Sequence, residues 1–171
     1  MAVEQRYNVV LIHCHDLGNW LGCYGHPCVQ TPYLDQLAGE GAIFRQFVAT
    51  APICMPSRAG LYDEQICIAE HLRRAGYATF LLGSHQILNA PAWAGFERID
   101  TSEPVEDRAV ALFDSQQAAS RLPFFAMIGF QDVHRPYGNE YNAALVDRID
   151  VPPYLPDVLT VRRDLATLYH R

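Results

Sequence analysis

The sequence has no apolar run approaching the roughly 20 residues that a membrane-spanning helix needs, so no helical membrane span is expected. Its amino end also lacks a positive region followed by an apolar core. Met1 leads through Ala2, Val3, Glu4, Gln5 and Arg6 into the first apolar stretch, so no signal peptide is read and a cytoplasmic location is expected. Cysteines are few and odd in number, five in all (Cys14, Cys23, Cys28, Cys54, Cys67), and none forms a C-x-x-C pair. That argues against a disulfide framework and points to reduced thiols. Charge is scarce, at 19% of residues, and the formal net charge is −6, which argues against nucleic acid and against an anionic membrane surface as partners. Internal repeats and low-complexity tracts are missing too. With 171 residues, half of them hydrophobic, the chain suits one globular domain with its own core.

What is present is an alternation of strands and helices. Tyr7 to His13 is a β-branched apolar run that reads as a strand buried on both faces, and it ends in His13-Cys14-His15-Asp16-Leu17-Gly18. His13 and His15 share one side of an extended chain, with Asp16 at the turn. Gly22 to Pro32 reads as a loop, and Thr31-Pro32 opens a helix whose inner stripe is Leu34, Leu37 and Ala38. Residues 42–50 read as an extended segment. A helix from Asp63 is expected to end at Gly76, with Ile68, Leu72 and Ala75 inward, Ile66 and Ala69 beside them, and Cys67 packed against the sheet. Tyr77–Gly83 is a second buried strand, residues 89–96 a loop, and Pro104 opens a helix carrying Val105, Ala109, Leu112 and Phe113. Pro123–Phe130 is a third strand, and the tail turns helical near Thr160. Such alternation predicts an α/β fold with a mostly parallel sheet and helices on both faces.

All three strands deliver a histidine just past their carboxyl ends: His15, His85 and His134. Open α/β sheets keep their sites at that edge. A single such histidine is more often a satisfied core residue, but His13, His15 and Asp16 together at one strand end favour a site, because buried ionisable groups are costly unless paired or metal-bound, and the convergence of three strands adds weight. The run Ala51–Leu61 adds Cys54 between Pro52 and Pro56, with Arg58 four residues on. Arg58 offers a planar fork for an oxyanion. His85 and His134 can donate to the same anion or protonate a leaving oxygen. Asp16 with His15 can hold a divalent cation, and Cys54 is the candidate nucleophile. The residues alone point to a hydrolase or transferase acting on an anionic ester.

Cys54-Met-Pro-Ser-Arg58 resembles the C-x-P-S-R signature of the type I sulfatases, in the alkaline-phosphatase-like superfamily. Asn8 to Gly18 resembles that family's first strand and its D-D-L-G. Thr31–Leu37 resembles T-P-N-L-D-x-L, and Ala69–Thr79 resembles the helix and strand before G-K-x-H. Pro123-Phe-Phe with His134-Arg-Pro-Tyr137 resembles P-F-F with P-H-x-P-Y, as in the heparan N-sulfatase-like branch.

The resemblance implies a sulfatase-like hydrolase of sulfate esters or N-sulfo groups. Its catalytic residues would be Cys54, Arg58, His134 and His85, and its metal ligands Asp16, His15 and Cys54. Cys54 would be oxidised to formylglycine by a formylglycine-generating or anaerobic sulfatase-maturing enzyme. The implied metal is a divalent cation, calcium in the family, with a small-molecule or saccharide sulfate as substrate. His15 stands where the family has an aspartate, Gly83-Ser84-His85-Gln86 lacks the lysine of G-K-x-H, and L-x-T-G breaks off at Leu61-Tyr62. Residues 1–171 therefore read as an N-terminal, internally deleted part of a sulfatase-like catalytic domain. A catalytically inactive fragment and a phosphate or phosphonate monoester hydrolase are the alternatives.

Overall fold

The computed structural model describes residues 6–60, 67–85, 94–119 and 123–170. Two compact units make up the chain: residues 1–15 with 49–131, and residues 16–48 with 132–171. The start expected at Asp63 for the third helix lies outside the described residues, as do Ile66, Gln86 and most of the 89–96 loop.

The first unit is built on a parallel sheet of β1 (Val9–Cys14), β2 (Ala78–Gly83), β3 (Arg98–Asp100) and β4 (Phe124–Phe130), in the order β1-β4-β2-β3. β4 is the last strand in sequence and yet lies between β1 and β2, with Val9 opposite Phe125 and Ala78 opposite Phe124. Being interior, β2 and β4 are apolar on both sides, and alternate residues feed two separate layers. Leu81, Phe125 and Met127 pack on one face with Cys67 and Ala69, at the start of α3 (Ile68–Arg74). Phe80, Leu82, Ala126 and Ile128 pack on the other with Val105, Ala109 and Leu112 of α4 (Val105–Ala119). Each fully buried side chain of this size contributes about 1.5–3 kcal/mol. Thr79, wholly buried on β2, donates to the Gly95 carbonyl at 2.7 Å and accepts from the Glu97 amide at 3.1 Å. The expectation of a parallel α/β sheet with helices on its faces therefore holds.

Two expectations change in this unit, and one strand is added. β1 is an edge strand of this sheet, not a strand buried on both faces, and Val9, Val10 and Ile12 are exposed. Its apolar composition fits an interior strand, but β4 covers only one of its edges. Ile68 is likewise exposed, because α3 turns Ala69 and Leu72 toward the sheet. β3 passes unnoticed in the sequence because it is three residues long and two of them are charged.

The second unit comprises a short 3-10 turn at Gly22–Tyr24, α1 (Pro32–Glu40), α5 (Ala143–Val146) and α6 (Leu159–Leu168). Its core is Val146, Ile149, Leu165 and Ala166. Arg162 donates through Nη1 to the Val146 and Ile149 carbonyls, both at 3.1 Å, satisfying acceptors at the end of α5. Thr31 stands at the N-cap of α1, but its hydroxyl accepts from the Gly22 amide at 2.9 Å and donates to Asp35 at 2.8 Å. The expected inner stripe of α1 is not buried: Leu34 and Leu37 are exposed. Residues 42–50 form no strand, and Phe44 and Phe47 are exposed. Among the described residues no helix is long and apolar enough to cross a membrane.

Candidate functional site

In the first unit the polar groups collect where β1, β2 and β4 end. β4 separates β1 from β2, yet Nε2 of His15, just past β1, lies 3.2 Å from Oγ of Ser84, just past β2. Glycine makes that approach possible. A Cβ at Gly129, near the end of β4, would stand 2.6 Å from Cε1 of His13 and 2.8 Å from the carbonyl carbon of Ser84. Gly83 opposite it has φ +69, a backbone that L side chains rarely adopt, and its Cβ would collide with the Gly129 carbonyl and with Val105. The Ser84 amide then donates to the Gly129 carbonyl at 2.9 Å and turns the chain inward.

α2 (Cys54–Ala59) supplies the remaining groups. Its N-cap, Ile53, is extended, and its carbonyl accepts from the Ser57 amide at 2.9 Å, which starts the helix; Pro56, at its third position, lacks an amide to give. Cys54 is the first helical residue, a free and half-buried thiol, and Arg58 lies four positions on along the same face. Arg58 is only 7% exposed and donates from Nη1 to the His85 carbonyl at 3.4 Å.

Burial, then the nearby Arg58 charge, then His15 and His85, lower the pKa of His13 to about 4. Burial and then Arg58 lower that of His85 as well. His15 is 1% exposed. The cluster is thus a set of ring and guanidinium nitrogens around one permanent positive charge. Of the sites read from the sequence, the structure brings together His15, Arg58 and His85 and adds His13 and Ser84. His13 was legible as the same-side neighbour of His15; Gly129 could have been found as the glycine within the large apolar run Phe124–Phe130. Nε2 of His13 is buried and has no hydrogen-bond partner among the described residues.

In the second unit, Asp16 and His134 face one another with Oδ2 and Nε2 4.0 Å apart. Nδ1 of His134 lies 2.6 Å from the Arg135 carbonyl and donates to it, which turns Nε2 toward the carboxylate. Asp16 sits at φ +46, in the left-handed region that aspartate tolerates better than most residues.

The three expected metal ligands offer one carboxylate, one imidazole and one sulfur. Calcium takes six to eight oxygen ligands. No group of three or more candidate ligands able to hold a metal occurs among the described residues. His15 in particular has Nε2 in contact with a hydroxyl, and its neighbour His13 feels the Arg58 charge. This donor set does not fit calcium.

The profile of the Sulfatase family matches residues 7–150. Human arylsulfatase A is 36% identical over 119 residues, covering 55% of this chain and 24% of the human protein. The ulvan-active sulfatase of Formosa agariphila is 24% identical over 242 aligned positions, covering 99% of this chain and 39% of that protein. That alignment is longer than the chain itself, so the relative has stretches with no counterpart here. A solved protein of the alkaline phosphatase superfamily from Vibrio parahaemolyticus superposes with a TM-score of 0.61 at 20% identity, over 98% of this chain and 49% of that one. The chain spans well under half the length of these two sulfatases.

Proposed function

Because the chain belongs to the sulfatase family, we propose that it is the portion of a sulfuric ester hydrolase that carries the nucleophile and binds the sulfate. The observation that supports this most is α2, which sets Cys54 one turn from the buried Arg58 and ties Arg58 to the segment carrying His85. Oxidised to formylglycine by a maturing enzyme, Cys54 would supply a hydrated aldehyde whose oxygen attacks sulfur. A half-buried cysteine on the first turn of a short helix fits that role, since it can be reached from solvent and the turn fixes its direction.

The chain's own residues do the rest. Arg58 presents a planar fork to two sulfate oxygens, and its fixed charge meets the negative charge that grows on them. His85, kept neutral at physiological pH by burial and by Arg58, donates a hydrogen bond to a third oxygen. The resemblance makes His134 the acid for the leaving oxygen; within the second unit its ring is oriented through the Arg135 carbonyl and the Asp16 carboxylate. A saccharide sulfate is the substrate class favoured by the ulvan-active relative, whose match runs over 99% of this chain.

The test is intact-peptide mass spectrometry across residues 46–58 after co-expression with a maturing enzyme, followed by assay on sulfate and phosphate monoesters. Conversion of Cys54 with release of sulfate, and loss of release in Cys54→Ala, is the expected outcome. A converted chain that turns over phosphate esters but not sulfate esters refutes the reading.

A further inference from the structure

The donor chemistry around His13, His15, Arg58 and His85 has a consequence for how the anion is held. Resting on the reading of Arg58 and His85 as anion-binding groups, we propose that this cluster takes a tetrahedral oxyanion directly, with no calcium ion. The side chains that gather there carry nitrogen donors, and Arg58 is positive at any pH the protein meets. Hard cations prefer oxygen ligands and are repelled by a guanidinium, whereas a sulfate oxygen is attracted to it. His15, 1% exposed, has its Nε2 within hydrogen-bond distance of the Ser84 hydroxyl, a neutral partner. Nε2 of His13, buried and lacking a hydrogen-bond partner among the described residues, is the atom that a bound anion would satisfy in its protonated tautomer. All 13 basic residues of the chain are arginines, so no lysine elsewhere in it can supply the positive charge.

Calorimetric titration of inorganic sulfate into the full chain, in chloride buffer of matched ionic strength, tests this with EDTA and again with excess calcium. The expected dissociation constants agree within about twofold in the two buffers. Arg58→Lys, which keeps the charge but loses the fork, weakens binding about tenfold, and His13→Leu weakens it several-fold. His15→Asp binds sulfate poorly in EDTA and recovers on adding calcium, because a carboxylate then replaces the imidazole. Circular dichroism of each variant establishes that it is folded.

Sulfate binding that EDTA weakens tenfold or more in the unaltered chain overturns the proposal, and so does the absence of any sulfate binding in either buffer. Turnover separates this inference from the hydrolase reading. Calcium-independent binding without hydrolysis by converted protein leaves the inference standing and removes the hydrolase. Hydrolysis with calcium-dependent binding does the reverse.

Discussion

Replacing Gly129 with alanine tests the idea that a missing side chain lets β1 and β2 meet across β4. The new Cβ would stand 2.6 Å from Cε1 of His13 and 2.8 Å from the carbonyl carbon of Ser84, and closer still to the Ser84 oxygen. The His13 ring can swing, but the Ser84 backbone cannot yield without straining the Ser84 amide bond to the Gly129 carbonyl. Overpacking costs about 1–3 kcal/mol and the weakened hydrogen bond about 1, so the fold should lose about 2–4 kcal/mol, or about 5–15 °C in Tm. Thermal and urea unfolding followed by circular dichroism measure this directly. Sulfate affinity should fall in the same variant, since His13 and the His85 segment move together. A Gly129→Ala protein within 0.5 kcal/mol of the parent and with unchanged affinity would refute the argument.

Other glycines should behave differently under the same assays. Gly39, inside α1 with open space around it, should gain about 0.5–1 kcal/mol on becoming alanine, whereas Gly25 at φ +88 should lose about 1–2 kcal/mol despite equally open space. Stability should also fall in acid. The unfolded His13 takes up a proton near pH 6.5 and the folded one only near 4, so stability declines as pH drops through that window, by about 1–2 kcal/mol after allowance for partial exposure. His13→Met should flatten that limb in urea titrations at stepped pH. Cys67, wholly buried and with its thiol pushed up by burial, should resist iodoacetamide in the folded protein while exposed Cys14 is alkylated. Because the unfolded thiol ionises first, Cys67 also lowers stability as pH rises past about 9. Equal labelling of the two cysteines by peptide mapping would contradict the packing at the start of α3.

Hydrophobic pattern carried most of the fold. The runs at β1, β2 and β4 and the spacing Val105, Ala109, Leu112 are local signals with one physical meaning, so they were legible. Burial was less so. Leu34 and Leu37 have the spacing of an inner stripe, but spacing does not state what covers it, and in this structure they stay exposed. β3 forms because β2 offers it an edge, a reason that the charged segment Arg98-Ile99-Asp100 does not contain. In the site, Cys54 and Arg58 could be read from one short run. The meeting of His15 with Ser84 could not, because it depends on two glycines that belong to different strands.

The strand order also sets a timetable for synthesis. Asn8 and Phe124, 116 positions apart, are joined by a hydrogen bond at 3.1 Å, so β1 finds its partner only after the residues between them have been made. At about 5–20 residues per second, a ribosome leaves that apolar strand waiting roughly 6–23 s for β4. Closing so large a loop to form a parallel pair is slow in any case. The segment Val9–Cys14 is therefore where a nascent-chain chaperone has the longest opportunity to bind, and where crowding of unfinished chains does the most harm.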